Sequence, residues 1–300
     1  MAVNNEQFLS GSASQAILLE QRQIRRERFF ANPSLILGLI GFVAIVLAAV
    51  LIPAVSQVDP NVMAVRDRLQ GPSLAHPFGT DEFGRDLFIR VLHGARVSLL
   101  VGGTVALVSG AVGTLIGIYA AYFKVLDHIL MRINEGLIAI PGILLAIALM
   151  AALGASSTNV IIALSIVYTP TVARIVRSNA LVAKNQSYVE AARVQGASSG
   201  RILRTLILPN VLSPLTVQAS YIFAQAIIAE ASLSFLGAGI PAPASSWGNI
   251  LQASRGVLQK APWTFIFPGL AVILCVLSLN LMGDGLRDYL DPRTTRRREK

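Results

Sequence analysis

Few residues in this chain are placed to do chemistry, and each proposal of that kind can be weighed. Gly196-Ala197-Ser198-Ser199-Gly200 fits the G-x-S-x-G pattern of a hydrolase nucleophile elbow. In that device a serine on a strained strand-to-helix turn attacks an acyl carbon, with a histidine later in the chain as its base. The only histidines, His76, His93 and His128, all come earlier, so an esterase or protease is excluded on chain order. Cys275 is the only cysteine, which rules out an internal disulfide and a cysteine-based metal site. Asp59, Asp67, Asp81, Glu82 and Asp86 lie among arginines between Ser56 and His93. A metal could be held there, but caps and turns on a solvated surface account better for so mixed a charge pattern. No G-x-x-x-x-G-K-[ST] phosphate loop occurs, so the chain carries no ATPase motif.

What remains is a polar device without chemistry of its own. Glu190-Ala191-Ala192-Arg193-Val194-Gln195-Gly196-Ala197, followed by Leu206-Ile207-Leu208-Pro209-Asn210, interrupts an otherwise apolar chain. Residues 185–195 favour a helix, Gly196 permits a turn, and Ser199 is placed to cap a second helix from Gly200 to Leu208. Pro209 then ends that helix or begins the next apolar run. By helix pattern alone, a docking surface and an ordinary amphipathic connector are equally good readings.

The elements that position this device are membrane helices. Apolar residues make up 54% and charged residues 14%, against roughly 25% charged in soluble domains. Residues 34–55 are apolar throughout, and at about 1.5 Å per residue they cross a hydrocarbon layer of about 30 Å. Further spans are expected over residues 97–121, 129–153, 158–174, 211–233 and 264–283, giving an all-α polytopic protein with about six transmembrane helices. The first 20 residues lack the basic start and short apolar core of a signal peptide.

Charge orients the spans. Arg22, Arg25, Arg26 and Arg28 precede the first; Lys124 and Arg132 fall between the second and third. Arg174, Arg177, Lys184, Arg193, Arg201 and Arg204 lie between the fourth and fifth, and Arg287, Arg293, Arg296, Arg297, Arg298 and Lys300 follow the sixth. Cytoplasmic loops carry the excess of Lys and Arg, so both termini and the Glu190–Asn210 loop are expected inside. The net charge of +9 is thereby explained by topology, with no nucleic acid partner needed. The chain divides into a cytoplasmic segment 1–33, a first span 34–55, a periplasmic segment 56–93, a five-helix core 94–286 that includes the loop 178–210, and a basic tail 287–300.

The loop resembles the EAA signature of permeases in bacterial ABC importers, and the resemblance extends over roughly residues 76–293. His76-Pro77-Phe78-Gly79-Thr80-Asp81-Glu82-Phe83-Gly84-Arg85-Asp86 and Gly94-Ala95-Arg96-Val97-Ser98-Leu99 are similar to the segment before the core in the dipeptide, oligopeptide and nickel group. Ala229-Glu230-Ala231-Ser232-Leu233-Ser234-Phe235-Leu236-Gly237, Ser246-Trp247-Gly248, Phe267-Pro268-Gly269-Leu270 and residues 280–288 complete the match, whereas the first 33 residues contribute nothing to it. The resemblance implies the C-type inner-membrane permease of a binding-protein-dependent importer, with a type I permease-like fold and an extra N-terminal span. It implies a coupling helix whose contacts to the ATPase come from Glu190, Ala191, Ala192, Arg193, Gly196, Leu208 and Pro209. Implied partners are a homologous second permease, two cytoplasmic ATPase subunits, a periplasmic solute-binding protein and the lipid bilayer of the bacterial inner membrane. ATP and Mg would be bound by the partner subunits, with no cofactor on this chain. A self-contained secondary transporter or channel is the alternative class.

Polar residues inside the spans are costly in lipid and face protein or water. Gln218 and Gln225 are seven apart with Tyr221 near the same stripe, and Asn280 lies in the sixth span; they line a translocation path or hydrogen-bond between helices, two readings of equal weight. Glu135 and Glu230 are expected near the membrane boundary. Ser109, Gly113 and Gly117 recur every four residues, a small-residue face suited to close helix packing within the subunit or against a partner. Trp247 and Trp263 are expected at the membrane interface.

Overall fold

The computed structural model describes Glu27, residues 29–56 and residues 58–290, and among these the fold is helical, without a strand. The arginines expected to orient the N-terminus, Arg22, Arg25, Arg26 and Arg28, and the tail from Arg293 to Lys300 lie outside the described residues. Helix α1 spans Pro33–Ser56 and α2 spans Leu87–Tyr122. Then come α3 (Lys124–Ile138), α4 (Gly142–Leu153) and α5 (Ser157–Lys184). Helix α6 (Ser187–Val194) and the short α7 (Ser199–Ile202) form the polar loop, and α8 is Leu208–Phe235. Helix α9 (Trp247–Ser254) and α10 (Trp263–Leu290) are the last of the described helices. Among the described residues five stretches are long and apolar enough to cross a membrane, or six if α3 and α4 make one bent span.

Helix α2 is the axis of the molecule. At 36 residues and about 1.5 Å per residue it is about 54 Å long, well beyond the hydrocarbon layer. It begins at Leu87, ten residues before the span read from hydropathy, because Asp86 caps it by accepting from the Ile89 amide at 3.0 Å. Its small-residue face packs within the subunit, against α5. A Cβ on Gly113 would fall 2.6 Å from Val172 Cβ, and one on Gly117 would fall 2.6 Å from the Ala173 carbonyl, so only glycine permits the observed approach. Helix α5 likewise outruns its expected end at 174. It continues through Pro170 to Lys184, whose Nζ donates to the carbonyls of Ala121 and Tyr122 at 2.9 and 3.1 Å and so closes the C-terminus of α2.

The expected continuous span over 129–153 is two helices. Helices α3 and α4 meet at an angle of 92°, with Pro141 as the N-cap residue of α4. Proline disfavours helical backbone in the residue before it and has no amide hydrogen, so the helix breaks there. Bidentate contacts of Arg177 to Asp127, at 2.5 and 2.7 Å, tie α3 to α5.

Of the two tryptophans expected at the membrane interface, one is fully buried and the other half-buried. Trp247 is fully buried and its Nε1 donates to the Val91 carbonyl at 3.0 Å; Trp263 Nε1 donates to the Thr80 carbonyl at 3.2 Å. Together they tie the starts of α9 and α10 to the start of α2 and to the segment before it.

Candidate functional site

Helix α6 is anchored on one face and open on the other. Val189 is fully buried in the main core, as are Ile202 and Ile207 on the returning arm of the loop, with Leu203 nearly so. Glu190, Ala191 and Arg193 are exposed, and Val194 is 83% exposed. Burying one side of so short a helix supplies the stability that eight residues lack alone. The outer face is left free to touch something else. Glu190 and Arg193 share that face but form no ion pair among the described residues.

The turn after α6 is a Schellman motif. The Gly196 amide donates to the Arg193 carbonyl and the Ala197 amide to the Ala192 carbonyl, both at 3.0 Å, with Gly196 at φ +81°. That bonding pattern requires a left-handed residue at this place, which glycine adopts without penalty. No atom lies within 4 Å of where a Gly196 Cβ would be, so the constraint is backbone conformation and not space. Tyr188 Oη accepts from Asn210 Nδ2 at 3.1 Å and closes the loop on itself.

Beyond the turn the second helix begins as expected but does not stop at Leu208. Ser198, not Ser199, caps α7, accepting from the Arg201 amide at 3.4 Å. Helix α7 then passes through a wide π turn, Leu203–Ile207, directly into α8. Pro209 does not end the helix; it lies in the first turn of α8. It cannot donate to the carbonyl four residues back, that of Thr205, and the helix widens just before it. Residues Ser199–Phe235 therefore act as one rod of 37 residues. Leu208 is half-buried and Pro209 exposed at its base.

A cavity of about 310 Å³ opens between α4, α5 and α8, lined by Gly142, Ile143, Leu164, Tyr168, Gln225 and Ser232 among others. Of the four residues expected to line a path, Gln225 faces this cavity and the Tyr168 hydroxyl donates to its carbonyl at 3.2 Å. Tyr221 instead reaches α10, donating to Asp284 Oδ1 at 2.5 Å. Gln218 and Asn280 are half-buried and outside the lining.

Glu230 has a role that the sequence did not reveal. It is fully buried inside the protein. Ser98 Oγ of α2 and Ser234 Oγ of its own helix each donate to one carboxyl oxygen at 2.8 Å. Those hydroxyls in turn accept from the amides of Trp247 at 3.4 Å and Ile240 at 3.1 Å. One carboxyl thus orients two serines, and they hold the segment leading to α9. The spacing of Glu230 and Ser234 was visible in the chain; Ser98, 132 residues away, was not.

Comparison with known proteins follows the same outline. Residues 113–296 match the family model described as the binding-protein-dependent transport system inner membrane component. Residues 21–72 match the N-terminal TM domain of oligopeptide transport permease C, so part of the first 33 residues does carry a family pattern. A putative peptide transport system permease protein of Brucella suis is 50% identical over 277 residues, covering 92% of each chain. The dipeptide transport system permease protein DppC of Alkalihalophilus pseudofirmus is 44% identical, over 87% of this chain and 86% of its own. The glutathione transport system permease protein GsiD of Escherichia coli is 47% identical over 74% of each. Among solved structures, an inward-facing MetNI methionine ABC transporter chain superposes with a TM-score of 0.56 at 19% identity, covering 67% of this chain and 96% of that one.

Proposed function

Since the chain belongs to the family of binding-protein-dependent transport system inner membrane components, as an ABC importer permease of the peptide group, we propose that it is the C-type subunit of an ATP-driven importer of di- and oligopeptides. The proposal places it beside a homologous second permease, two cytoplasmic ATPases and a periplasmic solute-binding protein, with both termini cytoplasmic. Support for peptides over nickel comes from relatives named for peptides, dipeptides and glutathione. ATP and Mg belong to the partner subunits in this scheme.

The main support for coupling is the build of the α6–α7 projection. Its inner face is fixed in the core through Val189, Ile202 and Ile207, while its outer face presents Glu190, Ala191, Arg193 and Val194. An ATPase that closes on this face pushes on a projection that cannot fold away. Because α7 continues into α8, the push is delivered to a membrane helix that also lines the cavity. Ala192 and Gly196 set the turn, and Leu208 with Pro209 forms the foot of the rod.

The test is a matched pair at position 196. Gly196→Val forbids the left-handed backbone, which costs a side-chain-bearing residue about 1–2 kcal/mol, and is expected to abolish peptide uptake and weaken ATPase co-purification. Gly196→Asn, which tolerates that backbone, should retain both. Normal uptake by the valine variant refutes the coupling role. A self-contained transporter or channel would instead move peptide in liposomes from this chain alone, without ATP.

A further inference from the structure

The break between α3 and α4 exposes backbone that a lipid environment does not accept. Among the described residues the carbonyls of Ala139 and Ile140 receive no hydrogen bond. Ile140 is 44% exposed and Pro141, Gly142 and Ile143 are exposed beside it. Helix α4 has 12 residues, so it places the break at most about 18 Å from the turn at Gly154–Ser156. That turn leads directly into α5, and a hydrocarbon layer is about 30 Å thick. With that turn at one face of the layer, the break falls at membrane depth. Irregular backbone at that depth is tolerated only where it is covered by protein or faces a water-filled cavity.

Next to the break is the 310 Å³ cavity. Its lining is apolar except for the Tyr168 hydroxyl, the Gln225 side chain and the Ser232 hydroxyl. Tyr168 and Ser232 each donate to a main-chain carbonyl, of Gln225 and Ile228 respectively; their oxygens keep acceptor capacity toward the cavity. Gln225 offers both a donor and an acceptor. No carboxylate, imidazole, thiol or cation is in the lining. A metal ion would find none of its preferred ligands there, whereas peptide amides, which need one donor and one acceptor each, are matched without regard to side chains.

We propose that the solute path through this subunit runs over the α3–α4 break, and that Tyr168, Gln225 and Ser232 form its polar contacts to the backbone of a small peptide. The proposal rests on the importer reading above. Helix α8 then carries both the coupling projection at one end and the path residues Gln225 and Ser232 further along.

The experiment uses the complete importer in liposomes and a charged, water-soluble thiosulfonate. The parent chain is a silent background, since Cys275 is fully buried. Gln225→Cys and Ser232→Cys are expected to react, and trialanine at about four times its Kd or more to slow the reaction about fivefold or more, as occupancy of the path requires. Leu47→Cys, exposed midway along the apolar helix α1, should remain unreactive. If Gln225→Cys reacts no faster than Leu47→Cys, the path does not run here. Reaction of both cysteines that trialanine does not slow overturns the peptide contacts. Peptide uptake by the parent importer in the same liposomes is measured separately: its absence refutes the importer reading, while its presence with unreactive cysteines refutes only the path.

Discussion

Arg96 Nε donates to the carbonyl of Ala49 at 2.7 Å, the very carbonyl that Pro53, lacking an amide hydrogen, cannot satisfy within α1. A second guanidinium nitrogen donates to Val50 O at 2.9 Å. The gap that proline opens in the first span is thus filled from the second, and an unpaired carbonyl in the bilayer is avoided. Arg96→Met is expected to cost about 1.5–3 kcal/mol, the range for a hydrogen bond to a charged group. In a Pro53→Ala background the new amide takes the Ala49 carbonyl and the loss should shrink. Thermal unfolding of the four variants in detergent forms a double-mutant cycle; strict additivity would refute the relationship.

This pairing shows what could and could not be read from the chain. The spans were legible because runs such as residues 34–55 are apolar on every face, and the Glu190–Asn210 loop because it is polar between them. The left-handed Gly196 followed from a glycine after a helix-forming stretch. The bend at Pro141 was hidden, since hydropathy is equally high on both sides; Pro141-Gly142 was the available signal. The hydrogen bonds of Arg96, Glu230 and Trp247 join residues far apart in sequence, and no local pattern reports them. Gln225 and Tyr221 share a stripe by helical spacing, yet neighbouring helices send one to the cavity and the other to Asp284.

For the buried carboxyl, Glu230→Gln replaces an acceptor oxygen with an NH2 donor. Either Ser98 or Ser234 must then turn to accept from the new NH2, and its own hydroxyl hydrogen loses the acceptor it had. A destabilisation of about 1–3 kcal/mol is expected, the cost of a buried group left unsatisfied. Limited proteolysis should show earlier cleavage within residues 237–262. An unchanged cleavage pattern would mean that the serines do not hold that segment.

The α2–α5 contact allows a comparison at neighbouring glycines. Gly117→Ala sets a methyl 2.6 Å from the Ala173 carbonyl, and should destabilise by about 1–3 kcal/mol, as overpacking does. Gly110→Ala meets nothing within 4 Å, and should be neutral or stabilise by up to about 1 kcal/mol through helix propensity. Equal melting temperatures for the two variants would contradict the packing described.

The Asp127–Arg177 fork joins α3 to α5 with both side chains partly exposed. Arg177→Lys keeps the charge but loses the bidentate geometry. The expected loss is about 1 kcal/mol or less, the scale of a solvent-accessible pair, and it should decline further in high salt. A loss that grows with ionic strength would argue against an electrostatic origin.

The continuity of α7 with α8 gives the molecule a gearing. A rod of 37 residues is about 55 Å long at 1.5 Å per residue, and Gln225 lies about 39 Å from its start by the same rise. If the rod pivots near its middle, a tilt of only about 5° carries its two ends in opposite directions by about 2–3 Å each, a displacement of the size seen in helix shifts at switching interfaces. A drug wedged against either end would therefore jam the other without touching it.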